Sequence, residues 1–96
     1  MQIKWTDLAS SDLDAIESYI AKENSLNVAT DVVLKIISVV ELVLTHHPHA
    51  GRFGRHKNTR ELVIDGLPFI AIYSQESDQI FVLRILHNAQ QWPSAN

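Results

Sequence analysis

The sequence has no cysteine, so disulfide cross-links and thiolate chemistry are excluded and the redox compartment stays unread. Glycine and proline number three each, and no linker, internal repeat or low-complexity segment divides the 96 residues. That length makes one domain with one core. No apolar run approaches the ~18 residues of a spanning helix, and the opening stretch MQIKWTDLASSD lacks the apolar centre of a signal peptide. A soluble cytoplasmic protein with no membrane association is the expectation. Positive charge is also scarce: eight Lys/Arg stand against eleven Asp/Glu, for a net charge of −3 and a pI near 5.9. Such a balance argues against a protein that coats nucleic acid over its whole surface.

The few cations are concentrated. His46–Arg60, HHPHAGRFGRHKNTR, holds four of the eight (Arg52, Arg55, Lys57 and Arg60), four of the five histidines and no carboxylate. A cationic loop on an anionic body suggests one anionic partner at one place. The competing reading is a solvated loop whose charges only keep it wet. Histidines 46, 47, 49 and 56 fit no zinc spacing and have neither cysteine nor carboxylate nearby, so no metal is expected, and no cofactor.

The hydrophobic pattern places the elements. Gln2–Trp5 reads as a short strand. Thr6 or Asp7, with Ser10–Asp12 behind, supplies helix-start chemistry, and Leu13, Ile16, Tyr19 and Ile20 recur at helical spacing to about Lys22. Ser25 caps a second helix, Leu26–Thr45, whose stripe of Val28, Val32, Val33, Ile36, Ile37, Val40, Val43 and Leu44 faces inward. Leu34, Val39 and Leu42 fall outside that stripe, as surplus apolar surface for a second packing contact or a partner. From Arg60 the period becomes two: a strand Arg60–Ile64, a type I′ turn at Asp65–Gly66, a returning strand Leu67–Ser74 and a third strand Gln79–His87. The last is nearly all apolar, as befits a central strand covered on both faces. The fold class is therefore α+β: a strand, a two-helix hairpin, a three-stranded antiparallel sheet and a short tail.

This order, together with HPHAGRFGRHKNTREL, the strand ending IAIYS and the closing run VLRILHNAQQWP, resembles the RelE/ParE superfamily of toxins from bacterial type II toxin–antitoxin modules. The resemblance implies a small toxin neutralised by a cognate antitoxin, with operator DNA bound only through that antitoxin. It implies one of two targets: DNA gyrase for ParE-like members, or messenger RNA on the ribosome for RelE-like endonucleases. The acidic balance and Gln90, which stands where many members have an arginine in His-x-x-Arg-x-Trp, favour the gyrase inhibitor over the enzyme. A third reading is a non-toxic module that corepresses with its antitoxin.

Single residues carry these expectations. For a nuclease the candidates are His87, Arg84, Arg60 and Lys57, since cutting RNA needs a proton carrier and phosphate-binding cations together. For target binding they are Arg52, Arg55, Lys57 and Arg60. For the antitoxin they are Leu34, Val39, Leu42, Val82, Arg84 and Leu86. Strict alternation puts Arg84 on one face with Val82 and Leu86, where it needs a carboxylate such as Glu61 or one from the antitoxin. The same rule puts His87 with Phe81, Leu83 and Ile85. Trp5 and Tyr73 should face the core with a polar edge outward, and Trp92–Pro93 should pack over the sheet edge.

Overall fold

The computed structural model describes residues 1–89; the expectations for Gln90 and Trp92–Pro93 lie outside the described residues. Strand β1 (Gln2–Trp5) is followed by helices α1 (Asp7–Glu23) and α2 (Leu26–His46). Four strands follow: β2 (Arg52–Phe53), β3 (Arg60–Val63), β4 (Phe69–Glu76) and β5 (Gln79–His87). The sheet has five strands in the order β1-β5-β4-β3-β2 rather than three. The expected antiparallel meander is β3-β4-β5. β1 joins it parallel to β5, from Gln2 opposite Gln79 to Trp5 opposite Val82, and the two-residue β2 adds to the far edge. Parallel pairing needs a long crossover, which the intervening helices and strands supply.

Each helix begins on an oxygen-bearing side chain. The Thr6 hydroxyl accepts from Ala9 N (3.2 Å), and the Ser25 hydroxyl accepts from Val28 N (3.1 Å). α2 buries Ala29, Ile36, Val40 and Leu44, the last three in the core shared with the sheet, with Val32, Val33, Ile37, Val39 and Val43 half-buried on the same core. Val39, expected as surplus, is thus part of the packing, whereas Leu34 and Leu42 are 56% and 66% exposed. Tyr19, expected to face inward, is exposed, as is Val28 to a lesser degree.

The Asp65–Gly66 turn is not type I′. Only Gly66 has a positive φ (80°), Leu67 N donates to Ile64 O, and Ile64 N donates onward to Phe69 O, so the loop spans four residues. Pro68 cannot donate to a ladder and stays in that loop, which delays β4 to Phe69.

A bulge breaks the alternation of β5. Tyr73 pairs with Val82 and Ile72 with Arg84, which leaves Leu83 as the extra residue. Ile80, Val82 and, past the bulge, Ile85 therefore face the helix-side core with Leu62, Ile64, Ala71 and Tyr73. Ile70, Ile72 and Leu86, with Leu83 against them, form a second apolar cluster on the other face. Val82 is consequently fully buried under the helices and does not share a face with Leu86, contrary to strict alternation.

Tyr73 ties the sheet to the chain after α2. Its buried hydroxyl donates to Pro48 O (2.8 Å) and accepts from Gly51 N (2.9 Å). Burial pushes the phenol's pKa up against the opposing effects of the Gly51 amide and Arg60, so it stays a neutral O–H. A Cβ on Gly51 would lie 2.7 Å from the Tyr73 ring, so this close approach requires glycine. Tyr73→Phe leaves a buried N–H and a C=O without their partner. We expect a loss of about 2 kcal/mol, read in a thermal melt as a fall of roughly 10 °C for a chain this size.

Candidate functional site

The cationic segment folds as a hairpin, and its organising residue is an anion. Glu61, on β3 between Arg60 and Leu62, is only 2% exposed. Its Oε1 accepts from Arg52 Nη2 (3.1 Å) and Nε (3.4 Å), and its Oε2 accepts from the Arg55 amide (3.1 Å) and Arg55 Nε (3.3 Å). Burial alone would raise the carboxyl's pKa. The Arg55 amide and the two guanidiniums outweigh that and hold it below the usual carboxylate range. Sheet register explains the arrangement, since Arg52 lies directly opposite Glu61 across β2 and β3.

The tip and stem are closed separately. Gly54 N donates to Thr59 O (2.8 Å), and the half-turn between them uses Asn58 at a positive φ of 64°. The buried Thr59 hydroxyl donates to His56 O (2.6 Å). Arg60 Nη1 donates to Gly51 O (2.8 Å) and His49 O (3.4 Å), and its guanidinium lies 4.4 Å from the centre of the Phe53 ring. Lys57 is exposed, and its ammonium has no partner among the described residues. Beside the tip lies an open groove of about 940 Å³ whose walls include Phe53, Lys57, Asn58, Arg60, Ser74 and Gln75.

The four target-binding candidates are thus brought together, in two kinds. Arg52 and Arg55 are half to mostly exposed but fixed on Glu61, while Lys57 and Arg60 stand nearer the groove. The nuclease candidates are not brought together. His87 pairs with Phe69 and Arg60 with Tyr73, on opposite flanks of β4 and about 13 Å apart along it. His87 is exposed, its ring edge-on to Phe69, and its Nδ1 accepts from Ala89 N (3.1 Å). Arg84 does not pair with Glu61. Its Nε and Nη2 donate to the two oxygens of Asp12 on α1 (2.8 and 2.9 Å), which also accepts from Ile85 N (2.9 Å).

Of the antitoxin candidates, Leu34 and Leu42 are exposed on α2, Val39 is half-buried in the core, and Val82 and Leu86 are buried. Arg84 is occupied by Asp12. No three histidines or carboxylates among the described residues are placed to hold a metal ion, and no described helix is long and apolar enough to cross a membrane.

Sequence reasoning named Glu61 only as a partner for Arg84 and Asp12 only as helix-start chemistry, and it missed Phe53. The signal for Glu61 was present: a single carboxylate directly after a carboxylate-free run of four cations, inside a strand whose other residues alternate. Because its folded pKa is depressed, its contribution is complete above the unfolded value of about 4.3 and is lost as pH falls through the lower folded value. Glu61→Gln should lower stability by about 2 kcal/mol, the low end for charged hydrogen bonds because the half-exposed arginines can return to water. Melts from about pH 3 to about pH 7 should also show less acid sensitivity in the variant; unchanged acid sensitivity would remove Glu61 as its source.

Comparisons with known proteins cover nearly the whole chain. Residues 3–92 match the family described as ParE toxin of type II toxin-antitoxin system, parDE. "Putative toxin Y4kP" of Sinorhizobium fredii is 40% identical over 92 residues, which is 96% of this chain and 93% of that protein. Among solved structures, the chromosomal ParDE TA system from P. aeruginosa contains a chain that superposes with a TM-score of 0.81. It is 31% identical, and the match covers 91% of this chain and 95% of that one.

Proposed function

This chain belongs to the ParE toxin family of type II toxin–antitoxin systems, and from that membership we propose that it inhibits DNA gyrase, arrests growth in the cytoplasm, and is neutralised by a cognate antitoxin. The observation that carries the choice of target is the separation of the nuclease candidates. Cutting RNA through its 2′-hydroxyl needs a proton acceptor, phosphate-binding cations and a donor to the leaving oxygen around one phosphate. Here Arg84 is spent on Asp12, and His87 stands about 13 Å along β4 from the level of Arg60. An inhibitor that acts by binding needs no such constellation. It needs a presented surface, and the Glu61-held hairpin presents four cations on a chain whose overall net charge is −3.

The antitoxin reading is supported by a different surface. Leu26, Leu34 and Leu42 expose large apolar side chains on α2, and Leu8 and Tyr19 do so on α1. Apolar exposure concentrated on one layer suits a partner that buries it. Operator DNA would then be reached only through the antitoxin.

The test is a gyrase supercoiling and DNA-cleavage assay with the full chain freed of antitoxin. Loss of supercoiling with trapped double-strand breaks is the expected result. Normal supercoiling at a large molar excess of folded toxin would overturn the gyrase assignment, and mRNA cleavage on ribosomes would replace it.

A further inference from the structure

We propose that the tip of the basic hairpin binds nucleic acid directly, an unstacked base lying on the open face of the Phe53 ring and the adjoining phosphate on Lys57. The inference rests on the hairpin being the target-contacting surface, and it places the DNA of the gyrase complex, rather than gyrase protein alone, against that surface.

Phe53 is 82% exposed on the edge strand β2. A lone exposed apolar side chain would need no explanation, but this ring is held. The Arg60 guanidinium covers one face at 4.4 Å and is itself fixed by the carbonyl oxygens of Gly51 and His49. The uncovered remainder is a rigid aromatic platform backed by a cation, the arrangement on which bases stack whatever their identity.

The phosphate donors are also prepared. Arg52 spends Nε and Nη2 on Glu61, and Arg55 spends Nε. That leaves Nη1 of Arg52 and both terminal nitrogens of Arg55 without a partner among the described residues, on guanidiniums that Glu61 fixes on the opposite face of the β2–β3 ladder from Phe53 and Arg60, where they meet a strand only as it passes round the sheet edge. Held guanidiniums with unused N–H groups are oxyanion donors. Lys57 adds an exposed cation at the groove, which also offers amide and hydroxyl groups from Asn58, Ser74 and Gln75 that can meet base edges.

The same charges would attract an acidic protein segment. What favours nucleic acid is the company of the ring. A protein anchor sits among other apolar groups that exclude water, whereas most of the described residues lining the groove are cations, histidines, amides and hydroxyls, with Leu83 and the carboxylate of Glu76 as the exceptions beside Phe53 and Gly54.

The experiment is fluorescence anisotropy with a labelled mixed-sequence single-stranded DNA oligonucleotide and its duplex, titrated with the full chain freed of antitoxin. Single strands should bind more tightly than duplex. Phe53→Ala should weaken that binding about 10-fold and Phe53→Trp should retain it, as stacking requires. Lys57→Ala should reduce the salt dependence by about one released counterion. The exposure of Phe53 limits the cost of Phe53→Ala to its contact with Arg60, a fall of about 5 °C in the melt with the cooperative transition kept, which separates lost stacking from lost fold. Absence of binding at roughly 50 mM salt, affinity indifferent to Phe53→Ala, or equal competition by polyglutamate would each overturn the proposal. Gyrase inhibition without oligonucleotide binding would sink this inference and leave the gyrase reading, and oligonucleotide binding without gyrase inhibition would do the reverse.

Discussion

The buried carboxylate of Glu61 is the constraint on which the functional end of this molecule depends. A carboxylate at 2% exposure is tolerable only when its oxygens are occupied, and here four N–H donors from Arg52 and Arg55 occupy them. Glu61 belongs to β3, whose register against β4 is set by the core, so the sheet dictates where the two guanidiniums stand. The Tyr73 hydroxyl fixes the stem through Pro48 and Gly51, and the Thr59 hydroxyl closes the tip through His56. A segment rich in mutually repelling cations is thereby given one shape. Surface cations usually sample many rotamers; these begin with part of that entropy already spent.

The other organising problem is β5. β1 covers its outer edge only as far as Val82, and beyond that point the strand would be left with bare backbone groups. α1 completes the edge with side chains. The Thr6 hydroxyl reaches the carbonyl oxygens of Val82 and Leu83, and Asp12 accepts from Ile85 N while gripping Arg84. One threonine thus caps the helix and the strand end together, and the Asp12–Arg84 pair is best understood as architecture. The bulge at Leu83 lets the same strand feed the helix-side core and the second apolar cluster in turn.

The element order was legible because hydrophobic period and cap chemistry are local. Ser25, the apolar stripe of α2 and the alternation of β4 are all read from neighbours in sequence, and both helices begin where those residues place them. Pairing is not local. Nothing near Gln2–Trp5 announces a parallel partner 77 residues away, and a two-residue strand such as β2 has no period to read. The bulge cost more, since one inserted residue reverses every inward and outward assignment on its far side, and Val82 was misplaced for that reason. The cationic cluster was visible as composition, but its internal structure was not. That Arg84 would choose Asp12 over Glu61 depended on which helix crosses the uncovered end of β5, a question of packing rather than pattern.

The central claim is that the Glu61-held hairpin is the surface through which this toxin acts on its target. The most direct measurement is growth of cells expressing the chain without antitoxin, for the native sequence and for the double variant Lys57→Glu, Arg60→Gln, with the melting temperature of the purified variant recorded alongside. Abolished growth arrest in a variant that still folds is the predicted result. Full arrest by a folded variant would contradict the claim and reduce the hairpin to a solvated loop.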